Sequence, residues 1–247
     1  MKKRVITLLL PVVIALTACT PVLNAGKEPA QVHPKPTVAV QATEAVTTTE
    51  SVTEEATEET PASSVKALEV DLGTIDGNSY QNETLAIRCT FPENWYVYDQ
   101  SLIPVLNRIT ESMADSETFT EMIESGQTVI ICCATNFTST KSVTIAASRR
   151  PLSYNADEAT IIRLTIPSVK AQMEETAGIE NVVCDVAEAA FCGKTHSVLK
   201  MTCDSAGTSL YQVMLYLSHG DLLYNIAVAS AQEADIEEIL QYFEAIN

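Results

Sequence analysis

The chain has 247 residues and a formal net charge of −17, with 32 Asp and Glu against 15 Lys and Arg. That balance excludes function classes held by a cationic surface, nucleic-acid binding and charge-driven attachment to anionic lipid among them. With 46% hydrophobic residues the chain can bury a core, and its length fits one domain with appended segments.

The first predicted element is a secretory signal over 1–18. Lys2, Lys3 and Arg4 form a positive start, and an apolar run follows from Val5 to Leu16. About a dozen residues are too few to cross a ~30 Å hydrocarbon core, which takes ~20 in a helix. The run closes on Leu16-Thr17-Ala18-Cys19. This resembles the bacterial lipobox, in which the cysteine thiol receives a diacylglycerol and becomes the mature N-terminus. The resemblance implies lipidation at Cys19, with Leu16, Thr17 and Ala18 as recognition positions. It places the protein on the extracytoplasmic face of a bacterial cell membrane, held by lipid. Loss of Lys2, Lys3 and Arg4 with the signal takes the charge from −17 to −20.

Residues 19–66 read as the lipidated Cys19 and a disordered tether. The stretch TTTESVTEEATEETPASS is built from Thr, Glu, Ala, Ser and Val, and Pro21, Pro29, Pro34, Pro36 and Pro61 punctuate the segment. Such a composition buries too little apolar surface to offset the entropy of ordering it. A flexible chain of about 46 residues spans roughly 35–40 Å. The glutamates read as a self-repelling spacer.

Residues 67–247 read as a single α+β domain. Asp76-Gly77-Asn78 predicts a turn. Strands are expected at 85–91, 127–135 and 142–149, then as a four-strand meander at 182–191, 194–203, 209–217 and 222–229, with turns at 192–194 and 218–221. In the third meander strand Tyr211, Val213, Leu215 and Leu217 share one face, while Met214 and Tyr216 keep the other apolar. That pattern predicts a central strand covered on both sides. Three helices are expected. One is capped by Ser101 and carries Leu102, Val105, Leu106 and Ile109. A second starts at an Asn155/Glu158 capping box, contains Pro167 and ends near Gly178. A third starts at a Ser230/Glu233 box and carries Ile236, Ile239, Leu240, Phe243 and Ile246 on one face.

The spacing Tyr80-x-Asn82-x-x-Leu85-x-Ile87-x-x-x-Phe91-Pro92-x-x-Trp95 resembles the opening of small secreted lipoproteins with a PsbP-like domain. There a first hairpin ends in Pro-x-x-Trp and leads into a helix. The resemblance implies an antiparallel sheet flanked by helices, an α/β/α sandwich, serving as a binding or assembly module.

Motifs for chemistry are sparse. Gly193-Lys194-Thr195 lacks the upstream glycine of a phosphate loop, since Glu188 stands there. Ser197-x-x-Lys200 matches a nucleophile motif that needs helical spacing; on a strand its ends point to opposite faces. Ser218-His219-Gly220-Asp221 reads as a polar turn, because neighbours in a tight turn do not form a relay. No zinc or calcium spacing is present, and no motif calls for a cofactor. The surface proposed for a partner is an exposed end of the sheet or segment 112–126, with Phe119, Met122 and Ile123. Six cysteines besides Cys19 read as thiols in strands, with Cys184 opposite Cys203 if Gly193-Lys194 is a two-residue turn. The leading reading is a membrane-anchored, non-catalytic binding or assembly module with an envelope protein or ligand as partner. Its alternatives are an extracytoplasmic hydrolase using His196 or His219, and a small solute-binding receptor.

Overall fold

The computed structural model describes residues 70–109, 116–151, 156–205 and 207–246. The expected signal, Cys19 and the expected tether lie outside them. In chain order the elements are β1 (Thr74–Asp76), β2 (Ser79–Asn82), β3 (Ile87–Thr90), β4 (Trp95–Val97), α1 (Ile103–Leu106), α2 (Ser116–Glu124), β5 (Val129–Asn136), β6 (Lys141–Arg149), α3 (Glu158–Glu174), β7 (Ile179–Phe191), β8 (Lys194–Ser205), β9 (Thr208–His219), β10 (Leu222–Ser230), α4 (Asp235–Leu240) and β11 (Phe243–Ala245). They form an α+β fold with two antiparallel sheets. The small sheet has the order β1-β2-β3-β11 and the large one β4-β5-β6-β10-β9-β8-β7.

The meander follows the expected alternation. On β9 and β10, Val213, Leu215, Tyr224, Ile226 and Val228 point into the larger core, and Met214, Tyr216, Leu223 and Ala227 into a second one. Both strands are interior in the sheet and buried on both faces, as the doubly apolar pattern of β9 predicts. The second core is closed by α3, whose Ile161, Ile162, Val169 and Met173 seat on β7–β9. The opposite face is closed by the small sheet, by Phe119 and Ile123 of α2, and by Ile236, Ile239 and Leu240 of α4. The far layer of the sandwich is thus part helix and part sheet.

A close approach fixes the start of the domain. Gly73 has φ +70°, and a Cβ there would stand 2.6 Å from the Gln81 carbonyl oxygen and from the Tyr80 ring. Only glycine satisfies both demands.

Several local expectations are corrected. Segment 112–126 was expected to offer Phe119, Met122 and Ile123 to a partner. Phe119 and Ile123 are instead 1% and 0% exposed, and Met122 packs against the core, because α2 turns this i, i+3, i+4 stripe inward. α1 has Leu102 at its N-cap; Ser101 donates its hydroxyl and its N–H to Asp99 Oδ1 instead. α3 is capped by Asp157, whose carboxylate takes the Thr160 N–H at 2.9 Å; the expected cap Asn155 lies outside the described residues. Pro167 remains inside α3. The last helix ends at Leu240, and Phe243 belongs to β11, which pairs with β3. Ser230 and Glu233 form no capping box: Ser230 donates to Asp235 at 2.6 Å, and Glu233 pairs with Lys200.

The β7–β8 turn is Cys192-Gly193, with φ 48° and 75°, rather than Gly193-Lys194. The left-handed pair suits a two-residue turn of the mirror type. Phe191 therefore faces Lys194, and Cys184 faces Met201 rather than Cys203. Diagonal neighbours lie ~7–8 Å apart, outside ordinary disulfide spacing. Cys89, Cys184, Cys192 and Cys203 are unbridged.

Candidate functional site

Alanine is a poor strand former, yet β7 carries Ala187-Glu188-Ala189-Ala190 just before its last residue, Phe191. These short side chains leave room between the sheet and α4. The result is a cleft of about 510 Å³, lined by the Ala187–Ala190 stretch, Val198 and Lys200 of β8, Tyr211 and Val213 of β9, and Ile236, Glu237 and Leu240 of α4. Glu233 and Ala234 close it from the loop before α4.

Charge is concentrated around the cleft. Lys200 holds Glu233 in an ion pair and faces Asp185 across the β7–β8 ladder. The hydrogen bond and charge of Glu233, then Asp185 and Tyr211, raise the Lys200 ammonium above its ordinary value. This lysine stays charged and engaged, unlike a base or nucleophile, which must be neutral. Ser197 lies on the opposite face of β8 from Lys200, so the Ser-x-x-Lys spacing assembles no site. Gly193-Lys194-Thr195 enters a strand where a phosphate loop would enter a helix.

A second polar feature sits at the start of β8. Glu158, in the first turn of α3, places Oε1 2.7 Å from His196 Nδ1 and accepts the Ser197 N–H on Oε2 at 2.9 Å. The β8–β9 ladder stops at Leu199–Met214. Alternation points the Ser197 N–H toward the β9 side, so the carboxylate supplies the acceptor that the strand no longer provides. The imidazole also packs edge-on against Phe191, with centroids 6.0 Å apart. His196 is not among the residues lining the cleft. His219 is exposed at the end of β9, beside the Gly220-Asp221 turn, and Asp221 uses its carbonyl to hold the Arg150 N–H at 2.7 Å. The structure brings together Glu158 and His196, which are 38 residues apart, and leaves His219 distant from any relay geometry.

Cysteine chemistry is muted. Burial pushes the Cys184 thiol up to about 11 and that of Cys89 further. Among the described residues no three His, Cys, Asp or Glu side chains cluster to hold a metal ion, and no helix is long and apolar enough to cross a membrane. Sequence reading missed the cleft. Its one visible signal was the Ala-Glu-Ala-Ala run in a predicted strand; the α4 contribution depends on tertiary packing.

No family model and no curated protein matches the chain. Solved structures of similar arrangement include cyanobacterial PsbP (CyanoP) from Synechocystis sp. PCC 6803, with TM-score 0.43 and 8% identity over 70% of this chain and 98% of that one. A Bacteroides thetaiotaomicron VPI-5482 protein has TM-score 0.36 and 13% identity, over 70% and 50% of the two chains. LpqN, involved in cell envelope biogenesis of Mycobacterium tuberculosis, has TM-score 0.32 and 9% identity, over 65% and 83%.

Proposed function

We propose that the protein is an extracytoplasmic, lipid-anchored binding module, and that the cleft between α4 and the β7–β9 face holds its partner. The observation that carries this reading is the cleft itself. It joins an apolar floor of Ala187, Ala189, Val198 and Val213 to a charged rim, and its lysine is tied up in an ion pair. Such a surface recognises; it offers no poised nucleophile. The Leu16–Cys19 motif and the acidic spacer supply the remainder of the reading. Two acyl chains anchor stably, and a spacer of tens of ångströms lets the domain search near the membrane.

One observation favours hydrolysis instead, the 2.7 Å contact between Glu158 and His196, since a carboxylate that orients a histidine is half of a relay. Against it, Glu158 is shared with the Ser197 backbone and joins α3 to β8 as a structural tie does.

A photo-crosslinking residue placed at Ala190 or Glu237 in cells tests the two readings. Adducts from these positions, absent when the reporter sits at Phe137 and lost when Ala189→Trp fills the cleft, are the expected result. Hydrolysis of ester or peptide substrates by the purified chain, abolished by His196→Ala in a folded protein, would replace the binding reading.

A further inference from the structure

The cleft opens along a sheet edge. β7 is terminal in the large sheet, and four of its consecutive residues, Ala187 to Ala190, line the cavity. With Phe191 and Lys194 flanking a two-residue turn, the hydrogen-bonded pairs of the β7–β8 ladder are Phe191–Lys194, Ala189–His196, Ala187–Val198 and Asp185–Lys200. The residues between them, Val186, Glu188 and Ala190, therefore turn their N–H and C=O groups to the outer edge. Glu188 and Ala190 are exposed, and among the described residues no strand pairs with this edge; an edge of this kind is a template for another strand.

The side chains around this edge are strongly one-sided in charge. Asp185, Glu233 and Glu237 stand along or beside the cleft and Glu188 on the same edge, against Lys200, which already holds Glu233, and Lys170 near Cys184, which pairs with Glu174. All of β7 carries Glu180, Asp185 and Glu188 with no cation. A second copy pairing through β7 would set these carboxylates against one another, which disfavours self-association. An added strand turns one set of alternate side chains to the alanine floor, rimmed by Asp185, Glu233 and Glu237, and the other set to the face of Glu188, whose ladder partner is Ser197; basic side chains therefore meet carboxylates on both faces, and apolar ones meet the floor.

We infer that β7 accepts an extended, basic segment of a partner protein as an eighth strand of the large sheet, with alternate side chains of that segment entering the cleft beside α4. This rests on the binding reading above and names the ligand class for that site. Main-chain hydrogen bonds to Val186, Glu188 and Ala190 provide the attachment; the carboxylates select lysine or arginine.

The test uses the secreted chain without its signal. Two acetylated nonapeptides are titrated, one alternating Lys and Val, the other Glu and Val. The lysine peptide should bind at least tenfold tighter, and its advantage should shrink at high salt. Glu188→Pro removes an outward N–H and leaves the β8 ladder intact, since edge strands tolerate proline there. It should weaken the lysine peptide at least tenfold. Should that variant fail to fold, amide exchange in the unsubstituted protein serves: the peptide should slow exchange at Val186, Glu188 and Ala190. Equal affinity for both peptides, no binding of either, or no protection at those three amides overturns the inference. A concentration-dependent dimer lost in Glu188→Pro would give the edge to a second copy and overturn it as well. If Ala189→Trp still abolishes crosslinking in cells while the peptide results are negative, the cleft remains the binding site and strand addition alone fails.

Discussion

Glu158 and His196 meet at 2.7 Å, although one opens α3 and the other lies near the start of β8. The same carboxylate takes the Ser197 N–H at 2.9 Å. One side chain thereby fastens the helix to the strand and satisfies a backbone donor that has run out of sheet. Glu158→Ala should lower stability by about 1–3 kcal/mol, because a charge-assisted bond is lost and the Ser197 donor is left without its acceptor. Glu158→Gln, which keeps an acceptor oxygen, should lose less. Urea unfolding of both variants checks the order. Equal losses would mean that the carboxylate charge, rather than the acceptor geometry, carries the effect.

Asp235 links three elements: it accepts from Ser230 of β10 at 2.6 Å, pairs with Lys141 of β6 at 2.9 Å, and opens α4. The Ser230 hydroxyl, then Lys141, hold its carboxyl below the ordinary 3.8. A depressed folded value means that this stabilisation is fully present above pH 3.8 and is lost as pH falls through the lower folded value. Unfolding free energy measured between pH 2 and 7 should therefore drop at the acid end. Asp235→Asn should flatten that part of the profile and lower stability at pH 7 by about 1–2 kcal/mol. An unchanged acid slope would assign the drop to other carboxylates.

How much of this was legible beforehand depended on what each residue's partner was. The meander of β7–β10 was readable because period-2 alternation and Gly-bearing turns are local signals; Gly220 and Gly193 both take left-handed φ where the chain reverses. Capping patterns misled, since Glu158 and Glu233 are spent on His196, Ser197 and Lys200 rather than on their own helix starts. Phe243 and Ile246 fit helical spacing, yet β11 is only three residues long and is defined by its pairing with β3, which no local period encodes. The cleft was hidden for the same reason: α4 and β7 meet only in the folded chain. The Cys184–Cys203 pairing failed on a turn shifted by one residue, which moves the facing register by two.

Gly73→Ala should be among the more damaging single-methyl changes in this domain. The added carbon would meet the Gln81 carbonyl and the Tyr80 ring at 2.6 Å, on a backbone already at φ +70°. Tyr80 is fully enclosed and cannot step aside cheaply. A loss of roughly 2–4 kcal/mol is expected from the left-handed strain and the overpacking together. Gly77, with a similar φ of +55° but open space around it, supplies the comparison. Gly77→Ala should cost only the backbone part. Thermal melts of the pair check this, and equal losses would show that the contact with Tyr80 relaxes.

Thiol reactivity should follow enclosure. Cys184 and Cys192 are partly exposed, whereas Cys89 and Cys203 are buried. Burial raises all four thiols, so the nucleophilic thiolate is scarce at neutral pH. With iodoacetamide at pH 7.5, Cys184 and Cys192 should react slowly and Cys89 and Cys203 only on unfolding, as mass spectrometry of peptides can resolve. All four should react after denaturation without reductant. A Cys184–Cys203 adduct that survives denaturation would mean that the β7–β8 register differs from the one that sets Cys184 against Met201.

The proposed anchor is open to the most direct test. Leu16-Thr17-Ala18-Cys19 follows an apolar run too short to span a bilayer, so the proposed attachment rests on acyl chains. Each buried methylene contributes about 0.8 kcal/mol, which makes one chain marginal and two chains stable. The charge, −17 for the chain and −20 once the proposed signal is removed, gives no electrostatic help at an anionic surface and opposes contact with it. Membrane association should therefore depend wholly on Cys19 and resist high salt. In a bacterial host, an alkyne fatty acid should label the protein, and Cys19→Ala should abolish both label and membrane recovery. Deleting residues 22–66 should leave labelling intact while reducing crosslinking from Glu237, the outcome expected of a segment that serves as a spacer. Persistent membrane recovery of Cys19→Ala would transfer the attachment from lipid to a protein partner.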